Sequence, residues 1–300
     1  FNPDGSLRDF DYGRVADGYM TGGGGPSNDD LSPLMTPQRR YSALGRLTYE
    51  LTPAIKVTAE LRHSRMYNNY IWFGEHVQGT ATSGLLIKSD NPFLSNTVRT
   101  ALANAGQTSF YMGRFNSDLS FPKIDFERKV TQGTLAFDGK IGSNLRWSAY
   151  YSHGEYQNNI DTPGFLLTQE FANAVDSVTG PGGTPICRIA LTNPGTNCVP
   201  INLFGLGAPS QAAIDYVTGT PSQRGTTKLD VGGVSLRGEP FALPAGDVSF
   251  AVGVEARKES INQTIGALDA AKAFRTFSFS AMSGSFDVKE AFGEVLVPLI

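Results

Sequence analysis

Residues 41–62 read YSALGRLTYELTPAIKVTAELR, and apolar and polar side chains alternate along both halves of this stretch. Tyr41, Ala43, Gly45, Leu47, Tyr49 and Leu51 fall on one side, with Ser42, Arg46, Thr48 and Glu50 on the other. After Thr52-Pro53 the period of two resumes: Ile55, Val57, Ala59 and Leu61 alternate with Lys56, Thr58, Glu60 and Arg62. Successive side chains of a strand point to opposite faces, so this is a β-hairpin with one charged and one uncharged face.

The unit recurs along the chain. Gly133, Leu135 and Phe137 stand against Gln132, Thr134 and Asp138, and Leu145, Trp147, Ala149 and Tyr151 against Arg146, Ser148 and Ser152. In the third pair Val248, Phe250, Val252, Val254 and Ala256 alternate with Ser249, Ala251, Gly253, Glu255 and Arg257, after a less regular strand near 227–238. A last strand is expected near 284–298. The connections alternate too. Thr52-Pro53, 140–144 and 239–247 are short, whereas 66–127, 157–226 and 258–283 are long. Membrane barrels join their strands in this way, with short turns on one side and long loops on the other. The expected fold is therefore all-β: part of a transmembrane, antiparallel up-and-down barrel, with residues 1–38 in an extracellular loop and 39–300 forming about seven strands.

Composition limits the alternatives. Charged residues make up 18% of the chain, below the roughly 25% of soluble domains, and net charge is −3. No basic tract points to nucleic acid. No apolar run is long enough for a membrane helix, which leaves a barrel as the only way for this chain to span a bilayer. The chain opens at Phe1 without a methionine and closes just after a strand, so it reads as a fragment whose parent supplies further strands.

Cys187 and Cys198, with ten residues between them in the second long loop, read as a disulfide of an oxidising compartment, the alternative being two free thiols. No histidine lies near enough in sequence to suggest zinc.

Several stretches taken together resemble TonB-dependent outer-membrane receptors. They are Ser89-Asp90-Asn91-Pro92-Phe93-Leu94; Phe171–Val178 leading into Cys187-Arg188; and Cys198-Val199-Pro200-Ile201-Asn202-Leu203-Phe204-Gly205. Leu236-Arg237-Gly238, Gly253-Val254-Glu255-Ala256-Arg257 and Val288-Lys289-Glu290-Ala291-Phe292-Gly293-Glu294 follow in consistent order. The resemblance implies an importer of the Gram-negative cell outer membrane, with a plugged barrel of about 22 strands. It also implies a TonB complex as energy-coupling partner, outer-membrane lipid around the wall, and a scarce nutrient as cargo: a siderophore, a corrinoid or an oligosaccharide. The plug, the TonB-contacting segment and the closing strands are not among these residues. A secreted β-rich adhesin or carbohydrate-binding protein is the alternative.

Candidate ligand contacts are Tyr67, Tyr70, Trp72 and Phe73, whose rings suit stacking, against the plainer reading of an aromatic girdle. Glu255, Arg257, Glu290 and Glu294 are expected as lumen-facing charges. No enzyme, cofactor or metal is expected. Glu290 and Glu294 on one strand would stand about 13 Å apart, too far for a glycosidase pair, and the chain has no nucleophile elbow or zinc-protease motif.

Overall fold

A computed structural model describes residues 1–2, 5–24, 34–72, 75–82, 84–119 and 121–299. Its main element is one seven-stranded antiparallel sheet. The strands are β1 (Gln38–Thr52), β2 (Ile55–Ile71), β3 (Lys123–Ile141), β4 (Leu145–Asp161), β5 (Ser222–Leu243), β6 (Gly246–Ile265) and β7 (Met282–Leu296). Each pairs with its neighbours in sequence, β1 and β7 being the two open edges. Turns at Pro53-Ala54, one residue later than expected, at 142–144 and at 244–245 join them at one end.

The strands run further than their alternation suggests. β2 continues to Ile71, β3 begins at Lys123, β4 reaches Asp161 and β5 begins at Ser222. The long connections therefore shorten to 72–122, 162–221 and 266–281. The reason lies in the outer rungs, where charged and polar residues occupy both faces and hide the period of two. Ladder hydrogen bonds continue there regardless of side-chain polarity.

The first two connections are not irregular loops. They hold the helices α1 (Asn96–Asn104), α2 (Thr168–Val175) and α3 (Gln211–Val217), with small two-stranded pairs between them. Ser95 and Ser210 cap α1 and α3, accepting from Val98 N and Ala213 N, which satisfies one orphan donor of each first turn. The main hydrophobic core of the protein lies here, in a cluster that includes Ile87, Met112, Leu166, Phe171, Ile201, Leu203 and Val217. Phe1 packs edge-on against Phe204 in the same cluster. Phe274 of the third connection packs with Phe165 and Leu167 of the second in a separate, smaller cluster.

Within the sheet, register sorts the side chains into two faces. Glu255 stands opposite Glu290, and Ala251 opposite Glu294, so all four expected charges including Arg257 share one face. Leu47, Ala59, Leu135, Tyr151, Gly232 and Ala256 form one row of the other face. Aromatic rings fill the gaps left by glycines: the indole of Trp147 covers Gly139, and the ring of Phe292 covers Gly253. Such cross-strand coverage restores apolar contact that a bare glycine lacks.

Candidate functional site

The uncharged face is open. Leu47 is 69% exposed, Val254 57% and Leu61 61%, and no second sheet covers them among the described residues. Above this apolar zone, toward the long connections, the same face becomes ionic. The border is oblique to the strands. On β7 the first ionisable residue is Lys289, whose row passes through Ala256, Gly232, Tyr151, Leu135 and Ala59 to Leu47 on β1. On β1 the first charged residue of this face is Arg39, eight residues beyond Leu47. Eight residues are about 26 Å along a strand, against about 29 Å across six strand spacings, so the border crosses the strands at about 40° to their perpendicular. The lower edge slopes the same way, because the 244–245 turn lies several residues further from this row than the Pro53-Ala54 turn.

The three connections gather over the charged face. At that end of the sheet Ile124, Ile160 and Gln223, all on this face, are nine-tenths or more buried. On the opposite face at the same level, Lys123, Asp161 and Arg224 remain about half exposed.

The expected aromatic group is divided by this arrangement. Tyr70 lies on the charged face, stacked with Phe126 at 5.9 Å between ring centroids, and Trp72 lies 6.3 Å from Tyr70. Arg128 sits 4.9 Å over the Phe126 ring and donates through Nε to Asn158 Oδ1 at 3.2 Å. Tyr67 points the other way. It lies beneath Arg65, beside an ionic group in which Glu127 accepts from Arg65 and from Asn159 and meets Lys129. Residue 67 lies in β2 and not in the expected loop, and an odd and an even position of one strand cannot share a face. Phe73 lies outside the described residues.

Phe126, Arg128 and Asn158 escape sequence reading for the same reason. Phe126 and Asn158 lie within the expected loops 66–127 and 157–226, and Arg128 on a polar rung without alternation. The aromatic shelf on the charged face is thus Tyr70, Phe126 and Trp72, edged by a guanidinium. It suits a flat ring or sugar face carrying a polar or anionic group.

Two ionic clamps, the first of them buried, fix the connections. Arg114 donates to Asp118 Oδ2 at 2.7 Å, to Asn116 Oδ1 at 3.1 Å, and to the carbonyls of Leu203 and Gly205 at 3.1 and 3.2 Å. Burial pushes the Asp118 carboxyl upward, but Arg114 and the Gly207 N–H outweigh it and hold the group below its usual range. Arg188 joins Asp176 and Asp90 at 3.0 and 2.7 Å, and Lys88 reaches Asp176 at 2.8 Å. Those two cations likewise hold Asp176 low against the effect of burial. Cys187 and Cys198 are bonded, with a Cα–Cα distance of 6.1 Å. Glu75, 6% exposed, accepts from the Thr276 hydroxyl at 2.6 Å and so ties the first connection to the third.

On the rest of the charged face Tyr150 donates to Glu255 at 2.6 Å, Arg257 lies 3.7 Å from Glu290, and Lys56 lies 3.8 Å from Asp138. Glu290 and Glu294 are both on β7, four residues apart. Comparison with protein-family models, with curated proteins and with solved structures finds no match.

Proposed function

We propose that this chain forms one wall of an outer-membrane β-barrel of the kind that TonB-dependent receptors possess, taking up a scarce nutrient. The oblique apolar stripe on an uncovered face carries this reading. A soluble sheet has no reason to slope its apolar zone, whereas strands in a barrel tilt by about 35–45° to the axis, so a bilayer wets them along such a stripe. Two further features support it. Charges are confined to the opposite face within the stripe, as a wet lumen requires, and the long connections fold toward that face, where they narrow a mouth.

In this reading the Tyr70–Phe126–Trp72 shelf meets the cargo from outside, whether a siderophore, a corrinoid or an oligosaccharide. Energy comes from the TonB complex through segments beyond these residues, and the edges β1 and β7 pair with further strands. An open edge in hydrocarbon would leave a row of unpaired amides and carbonyls.

Quenching of Trp147 fluorescence by lipids brominated at mid-chain tests the wall. Trp147 lies in the stripe, whereas Trp72 lies at the mouth. Strong quenching that disappears in Trp147→Phe is expected. A protein that stays soluble and monodisperse without detergent, and is not quenched, would instead favour the secreted β-rich binding protein.

A further inference from the structure

Three cations stand side by side on the charged face near the short-turn end. Lys140 is directly opposite Arg146, and Arg146 directly opposite Arg237, on the adjacent strands β3, β4 and β5. Like charges directly opposite one another in a sheet are destabilising. Elsewhere on this face some of the ionic residues find partners, as Lys56 does in Asp138 and Arg257 in Glu290. Among the described residues, no carboxylate pairs with Lys140, Arg146 or Arg237, and their side chains donate no hydrogen bond.

All three line one concave groove of about 530 Å³. The Thr52–Ala54 turn closes it on one side, fixed by the hydrogen bond from Lys140 N to Ala54 O at 2.9 Å. Ser148 and Ser235, joined at 2.8 Å, form its polar floor. Glu50, Lys56 and Asp138 line the same groove, Lys56 and Asp138 paired with each other, so four cations face two carboxylates there.

We infer that this groove is a binding site for a small polyanion, a molecule bearing at least two carboxylate or phosphate groups. Cross-strand neighbours are about 5 Å apart, so the outer cations span about 10 Å, more than one anionic group can bridge. The two guanidinium groups offer planar forks suited to bidentate contact with carboxylate or phosphate. The volume falls in the range of small-molecule pockets, roughly 300–1,000 Å³. Register and charge alone define the site, so it stands whether or not the opposite face meets lipid.

Titration calorimetry on the detergent-solubilised protein at low ionic strength tests this, with pyrophosphate and citrate as probes and inorganic phosphate as the single-group comparison. Pyrophosphate or citrate should bind at least tenfold more tightly than phosphate, the stronger of the two identifying the anionic group. Arg146→Gln and Arg237→Gln should each weaken that binding at least tenfold, with no loss of thermal stability because a repulsion is relieved. Lys140→Gln, at an exposed lysine, gives an independent reading should either arginine variant misfold. Equal binding by wild type and variants would overturn the site, as would equal binding of phosphate and pyrophosphate. A hexaglutamate peptide that displaces pyrophosphate at lower concentration than citrate does would overturn the small-molecule occupant in favour of a polypeptide.

Discussion

Arg114 and Asp118 close an ion pair at 2.7 Å with side chains only 10% and 8% exposed, and the same guanidinium reaches across to the carbonyls of Leu203 and Gly205. One side chain thus joins the first long connection to the second. Arg114→Ala would leave the Asp118 carboxylate buried without its cation, a loss of about 3 kcal/mol or more. Amide exchange at Leu203 and Phe204 should accelerate by two orders of magnitude or more in this variant. Unchanged exchange there would remove the clamp.

Acid should loosen the same region. Asp118 and Asp176 are both held below their usual range in the folded protein. A carboxylate with a depressed folded pKa stabilises fully above its unfolded value, near 3.9, and loses that contribution as pH falls through the folded value. Proteolytic resistance of the connections should therefore stay flat from neutral pH down to about 5 and decline below about 4. Asp176→Asn should lower resistance at neutral pH and make the acid decline shallower. A wild-type decline centred near pH 6 would point to histidine instead.

Reduction addresses the second clasp. Cys187 is 1% exposed and bonded to Cys198 eleven residues away. Closing a loop of this size stabilises by up to about 3 kcal/mol in the chain-entropy account. Neither cysteine should react with a thiol reagent before reduction. After reduction, cleavage in the 188–198 segment should rise while the sheet strands remain protected.

Adjacent positions on β6 test the two faces. Val252 is 43% exposed on the apolar stripe, and Ala251 belongs to the charged face. Val252→Arg should cost about 2–4 kcal/mol in a bilayer if the stripe meets hydrocarbon at its midplane, and Ala251→Arg far less. Reversible unfolding into urea from lipid vesicles measures both, and equal costs would remove the lipid-facing assignment.

Gly139 sits under the Trp147 indole, and a side-chain carbon at residue 139 would collide with that ring. Gly139→Val should force the indole off the strand and shift Trp147 emission, whereas Gly133→Val, where only Leu61 comes within van der Waals reach, should leave it unchanged.

The strands were legible where only one face carries charge. From Leu47 to Leu51 and from Val252 to Ala256, apolar and polar residues alternate without error. The alternation ends at His63, Thr131 and Asp230, where both faces turn polar, and sequence reading ends the strands near there although the ladder runs on. The connections misled for a different reason. Their core residues, such as Ile87, Phe171, Leu203 and Val217, come from segments far apart in sequence, and each segment alone is too short and too rich in glycine and proline to announce a packed core. The pairing of Cys187 with Cys198 was readable from spacing and context. The aromatic shelf was only half readable, because Tyr70 and Trp72 needed Phe126 from the next strand to complete it.

The shared core of the connections bears on how such a surface can diversify. Surface loops ordinarily accept insertions independently of one another. Here Ile87 and Met112 from one connection pack with Phe171, Leu203 and Val217 from another, while Glu75 is tied to Thr276 in the third. A change of length in one connection must be matched by the others, so their divergence is coupled. Freedom to vary remains in the small outlying turns, such as those at 180–183 and 193–195, which lie outside that core.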